Sequence, residues 1–170
     1  SPRFLHIWTP PNKNLNRFVQ ALQGIPCVLL VIVVLSPAQA RMLARHGIGY
    51  ESRSSLSREE LLDQYRQADL LLFASTYEGF GLPIVEANAV GRPVVTSQVS
   101  SMPEVAAGAA CLVDPFDVAS IRQGVLQVIQ QPAYRDDLVR RGHANAARFR
   151  PEAVSLRYAQ VYRSLARSPH

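Results

Sequence analysis

Nine apolar residues in a row, Cys27 to Leu35 (CVLLVIVVL), constrain this chain more than any other stretch. They do not alternate with polar residues, so neither side of the segment faces water. A strand of that kind belongs to a parallel sheet covered on both faces by helices, because a strand with one wet face alternates. Even counted from Ile25, the apolar stretch has eleven residues and carries a proline. That is far short of the ~20 that a membrane helix needs.

The rest of the chain fits such a sheet. Phe4 to Trp8 reads as a first strand, followed by a Pro-Pro-Asn-Lys-Asn loop and a helix from about Leu15 to Leu22, with Leu15, Phe18, Val19 and Leu22 on one face. The second strand is followed by a helix from Pro37 to His46, and Ile48 to Glu51 is a weak third strand. Ser57 stands three residues before Glu60, a capping-box spacing, and opens a helix that leads to the apolar strand Asp69 to Ser75. Pro93 to Thr96 and Ala110 to Val113 are the last strands, with a single turn near Pro103 between them. Helices follow over Asp117 to Gln130, Ala133 to Phe149 and Glu152 to Ala166, the last with Val154, Tyr158, Val161, Tyr162 and Leu165 on one face. Strands and helices thus alternate for six rounds, which predicts a doubly wound, Rossmann-like α/β parallel sheet in one domain covering residues 1–170. Ligands of such sheets bind outside the carboxyl ends of the strands.

The turn after the fourth strand reads EGFGLPIVE, Glu78 to Glu86, and opens a helix. Pro83 suits the first helical position and Gly91 a left-handed stop. Gly79 and Gly81 let a ligand approach the backbone, and the free N–H groups of a new helix face whatever anion lies in front of them. Glu78 in the turn and Glu86 in the expected first helical turn would repel a phosphate unless they met its uncharged neighbours. Sugar hydroxyls on each side of a diphosphate are such neighbours, so the pattern suggests a nucleotide-sugar. Lys13 is the one lysine beside seventeen arginines, and it lies in a strand-to-helix turn from which a cation can reach a phosphate.

Two glutamates separated by seven residues, with Gly-Phe-Gly after the first and TSQVSSMPEV behind, resemble the donor-site signature of the retaining family 4 glycosyltransferases of GT-B fold. The resemblance runs from Leu5 to about Tyr162 and corresponds to the C-terminal, donor-binding half of such enzymes. It implies that Glu86 holds the nucleotide ribose and Glu78 contacts the transferred sugar. Backbone amides over Phe80, Gly81 and Leu82, together with Lys13, would hold the diphosphate. The family places base-recognising groups around Ile48 to Ser57, which makes Tyr50 a further candidate, and closes the TSQVSSMPEV segment behind the donor. The resemblance favours a bacterial enzyme of cell-surface polysaccharide synthesis using GDP-mannose, with a UDP-sugar next. The acceptor-binding half would come from a further domain or subunit. Four positions depart from the family pattern: Trp8 and Val33 stand where glycines are usual, Val34 where a polar residue is usual, and Asn12 lies where an arginine often accompanies the lysine.

Catalysis would rest on stabilisation of the departing diphosphate by Lys13 and the helix N-terminus. Glu78 as nucleophile and Glu78 as a steadying contact both stay open. The four histidines and two cysteines have no metal-ligand spacing, so neither a metal nor a resident cofactor is expected. A dinucleotide cofactor is set aside, since Ile84 replaces the third glycine of that fingerprint and no acid follows the next strand. The net charge of +5 lies in the tail, where eight arginines face three acids from Ala133 onward. No aromatic platform accompanies them, which argues against nucleic acid and leaves a solvated helix face or peripheral contact with an anionic membrane. The opening SPRFLHIWTPPNKN does not read as a signal peptide, and the cysteines fit a reduced, cytoplasmic chain. The alternatives are a non-catalytic nucleotide-sugar-binding or partner-docking module, and a sugar-nucleotide epimerase of the same fold.

Overall fold

The computed structural model describes residues 1–7, 10–156 and 158. Six parallel strands form one sheet: β1 (Arg3–Ile7), β2 (Val28–Ile32), β3 (Gly49–Arg53), β4 (Leu70–Phe73), β5 (Val94–Ser97) and β6 (Cys111–Val113). Their spatial order is β3-β2-β1-β4-β5-β6, the doubly wound arrangement that the alternation of elements predicts. The chain reverses its direction of travel across the sheet between β1 and β4. The loops leaving those two neighbours therefore open onto the crevice where ligands of such sheets bind.

The helices are α1 (Leu15–Leu22), α2 (Pro37–Arg45), α3 (Arg58–Gln67), α4 (Leu82–Ala89), α5 (Met102–Ala106), α6 (Val118–Gln130) and α7 (Pro132–Ala147). Two apolar layers cover the sheet. One joins Phe18, Leu22, Leu43, Ile121 and Val125 from α1, α2 and α6 to Phe4, Leu29, Val31 and Leu72. The other joins Tyr65, Ile84, Ala87, Met102 and Val105 from α3, α4 and α5 to Leu5, Leu30, Leu71 and Phe73. Residues of one strand alternate between the two layers, which is why β2 and β4 show no polar alternation in sequence.

Local chemistry sets the helix ends. Ser57 and Glu60 form the expected capping box on α3, and Ser36 and Gln39 form another on α2. The Asp117 side chain accepts from the Ala119 N–H at 2.9 Å and caps α6. α7 crosses to α4, where the Asn145 side chain donates to Asn88 Oδ1 and to the Val105 carbonyl, each at 2.9 Å.

Three expectations change. The second strand stops at Ile32, and Val34 stands exposed beyond it. α4 begins at Leu82, because Gly81, at φ +100°, serves as its N-cap. Pro83 is thus the second helical residue, and Glu86 lies one full turn into the helix. The third strand begins at Gly49 and runs to Arg53. Of the helix expected over Glu152 to Ala166, residues 151–156 are helical, while Arg157 and residues 159–170, with Val161, Tyr162 and Leu165, lie outside the described residues. Trp8 lies outside them as well.

Candidate functional site

The loop after β1 turns through a short 3₁₀ segment, Pro11–Lys13, and ends at Asn14 in the left-handed region, φ +66°. A non-glycine residue tolerates that region when its side chain is tied down, and asparagine is among the most tolerant. The buried Asn14 amide donates to the Ala74 carbonyl at 3.0 Å and to the Pro115 carbonyl at 2.7 Å. It thereby fastens this loop to the ends of β4 and β6. The Thr76 N–H donates to the Asn12 carbonyl at 2.8 Å, and Asn12 Nδ2 donates to the Tyr77 carbonyl at 3.1 Å. The loops after β1 and β4 are stitched together along their length.

Lys13 and Glu78 meet across this seam. The ammonium donates to Glu78 Oε1 and lies 4.6 Å from the centroid of the Phe73 ring. Their side chains are only 11% and 13% exposed, so the pair is largely withdrawn from water. Phe73 also packs near Gly81, where an added Cβ would stand 3.7 Å from the ring and 3.3 Å from Ile84 Cδ1. The positive φ and the close packing both require glycine there. Gly79 differs, because a Cβ at that position would meet open space.

The segment after β5 shapes the Glu78 turn from behind. Ser100 Oγ donates to the Glu78 carbonyl at 2.7 Å and accepts from the Glu78 N–H at 3.3 Å. Ser101 Oγ donates to the Phe80 carbonyl at 2.9 Å. These contacts leave the N–H groups of Phe80, Gly81 and Leu82 without a partner among the described residues. Phe80 is partly exposed and meets Phe149 edge-on, with ring centroids 5.7 Å apart. Leu82 is exposed.

Glu86, half-buried on α4, accepts a hydrogen bond at 2.5 Å from the hydroxyl of the buried Tyr65 of α3. Burial first, and then the charge and hydrogen bond of Glu86, push the Tyr65 hydroxyl pKa far above its ordinary value, so it stays a donor. Sequence reasoning missed Tyr65 as a support of the site and, although it placed the TSQVSSMPEV segment behind the donor, did not single out Ser100 and Ser101. Tyr50 does not join the group. It pairs with Leu29, level with Phe4 and three rows before the carboxyl ends of the strands, at about 10 Å for that many residues of strand. Among the described residues no group of three or more His, Cys, Asp and Glu could hold a metal ion.

Arginines on α7 and at its C-terminal end are engaged within the chain. Arg140 and Arg141 both pair with Asp137, and Arg148 donates to Asn145 Oδ1 at 2.7 Å. No helix among the described residues is long and apolar enough to cross a membrane.

The family model described as glycosyl transferases group 1 matches residues 9–145, which include every element that builds this site except β1. The chain belongs to that family. Among similar members is the O-antigen chain mannosyltransferase B of Escherichia coli, 40% identical over 107 residues, covering 63% of this chain and 28% of the relative. The MMP alpha-(1->4)-mannosyltransferase of Mycolicibacterium hassiacum is 33% identical over 128 residues, covering 72% of this chain and 31% of the relative. The chain thus spans less than a third of these members' length. In structure it resembles the sucrose-phosphate synthase of Thermosynechococcus elongatus (TM-score 0.82, 26% identity, 96% of this chain and 45% of that one). It also resembles the C-terminal domain of a group 1 family glycosyl transferase from Francisella tularensis (TM-score 0.72, 20% identity, 87% and 85% covered). The family's fold here is the Rossmann-like half of a GT-B glycosyltransferase.

Proposed function

We propose that this chain is the donor-binding half of a retaining, metal-independent glycosyltransferase that takes a nucleoside-diphosphate sugar. The observation that carries the reading is the Lys13–Glu78 pair at the crevice between β1 and β4, beside the amides that open α4. A diphosphate set before Gly81 and Leu82 meets unpartnered N–H groups and a cation within reach, and both strengthen as the leaving group gains charge. When Lys13 turns to the phosphates, Glu78 is released toward the transferred sugar. Glu86 faces the ribose from one turn further along α4.

The mannosyltransferase names of the relatives support GDP-mannose as the donor, with a UDP-sugar next. The share of those relatives that the chain spans supports an acceptor-binding half contributed by a further domain or subunit. The reaction would take place at the cytoplasmic side of the membrane, with a glycan or lipid-linked acceptor.

Calorimetric titration of the chain with GDP-mannose, UDP-glucose and the free nucleotides tests the reading, with Lys13→Ala and Glu86→Ala as controls. Saturable binding weakened in both variants is expected. Binding of equal strength in both variants and the parent would refute the assignment of the site.

A further inference from the structure

The Glu86 carboxylate has two oxygens, and the protein engages one of them. Tyr65 is fully buried, and its hydroxyl donates to Glu86 Oε2 at 2.5 Å. Among the described residues Oε1 accepts no hydrogen bond. The two residues sit on different helices, α3 and α4, with β4 between them in the chain. α3 runs antiparallel to the strands, and a helical tyrosine points back toward its helix N-terminus. Tyr65 therefore reaches from near the end of α3 toward the ligand side of the sheet, where Glu86 stands.

Resting on the reading of the site above, we infer that Tyr65 is a positioning residue for donor recognition. By holding Oε2 it fixes the plane of the Glu86 carboxylate, so that Oε1 and the remaining lone pair of Oε2 face the vicinal hydroxyls of a ribose. A hydrogen bond from a hydroxyl to an ionised acceptor is stronger than one between neutral groups, which gives this contact the strength to hold a rotamer. The tyrosine then contributes to selection of a ribonucleotide without touching it.

Tyr65→Phe removes one hydroxyl and keeps the ring in its apolar layer. The test measures calorimetric affinity of the parent and of Tyr65→Phe for GDP, UDP and their 2′,3′-dideoxy analogues. The expected result is a Kd raised about tenfold for the ribose forms, as for the loss of one hydrogen bond to a charged group, with the dideoxy forms changed by less than about twofold. Glu86→Gln should erase the same preference for ribose. A Tyr65→Phe variant that melts earlier yet binds both sets as the parent does would overturn the proposal and leave the donor site standing. Equal losses for the ribose and dideoxy forms would also overturn it. Absence of nucleotide binding in the parent would remove the reading of the site, and this proposal with it.

Discussion

Replacing Lys13 by methionine keeps an unbranched apolar side chain and deletes the ammonium that lies over Phe73, leaving Glu78, about one-eighth exposed, without its cation. Two unit charges ~4 Å apart at an effective dielectric near 20 attract by about 4 kcal/mol, and removing one partner of a buried pair costs about 3–5 kcal/mol. Lys13→Met should therefore lose about 3 kcal/mol. Glu78→Gln should lose less, about 2 kcal/mol, because the ammonium keeps its attraction to the Phe73 ring, an interaction of ~0.5–2 kcal/mol. In the double variant no charge is left stranded, and the loss should again be about 2 kcal/mol, far from the sum of the two.

The coupling energy expected from this cycle is thus about 3 kcal/mol, read from urea unfolding of the four proteins at pH 7 with equal slopes. In thermal melts each kcal/mol corresponds to about 2–4 °C for a domain of this size. Added salt should change the coupling little, because a pair this shielded is screened far less than a surface pair. A coupling below about 0.5 kcal/mol is what exposed ion pairs give, and it would refute the claim that the two loops meet in a withdrawn pair.

Three further outcomes test the packing around the site. Gly124→Ala should destabilise the fold by about 1–3 kcal/mol in chemical unfolding, despite the ~1 kcal/mol by which alanine favours a helix, because the new methyl would stand 2.4 Å from Val113 Cγ1 in the contact between α6 and β6. Asn145→Ala should cost about 2–3 kcal/mol by the same measure, since it strands the Asn88 and Val105 oxygens in the buried contact of α7 with α4 and α5. Because the Tyr65 hydroxyl keeps its proton in the folded state above the ordinary tyrosine pKa of about 10, the unfolded chain there binds fewer protons and stability falls as pH rises past 10. Tyr65→Phe should flatten that fall by up to ~1.4 kcal/mol per pH unit, seen by repeating urea unfolding from pH 8 to 11.

The sheet was legible in the sequence because its signals are local. The run at Cys27 to Leu35 and the alternation of elements follow from burial on both faces, and Leu15–Leu22 carries its apolar stripe openly. Ser36 and Gln39 have the spacing that Ser57 and Glu60 have, so the cap on α2 could have been found by the same rule. The depth of Glu86 in α4 was hidden because Pro83 is acceptable at either of the first two helical positions. Gly81 decides the matter by adopting a positive φ, which only the packing of Ile84, Phe73 and Met102 around it reveals. Tyr65 carries no signal at all. Its contact with Glu86 joins two helices across an intervening strand, and no periodicity encodes such a meeting.

The same distinction bears on how the site is made. Apart from Glu86 and Leu82 on α4, the residues that would touch a donor lie in two loops that are far apart in the chain, yet Asn12, Asn14 and Thr76 bind those loops to each other through backbone groups. Ser100 and Ser101 then fix the Glu78 turn from a third loop. On the proposed reading, donor recognition would be built within one sheet, with the hydrogen bonds that shape the site formed among the loops themselves. Binding energy need not be spent on ordering them, and affinity for a nucleotide should survive in this chain without an acceptor half. Asn14→Ala offers the sharpest check on that argument. It cuts the bonds to Ala74 and Pro115 and removes a residue tolerant of positive φ, so it should weaken nucleotide binding although Asn14 is buried beneath the site. Unchanged affinity in a folded Asn14→Ala protein would mean that the loops hold their places without it.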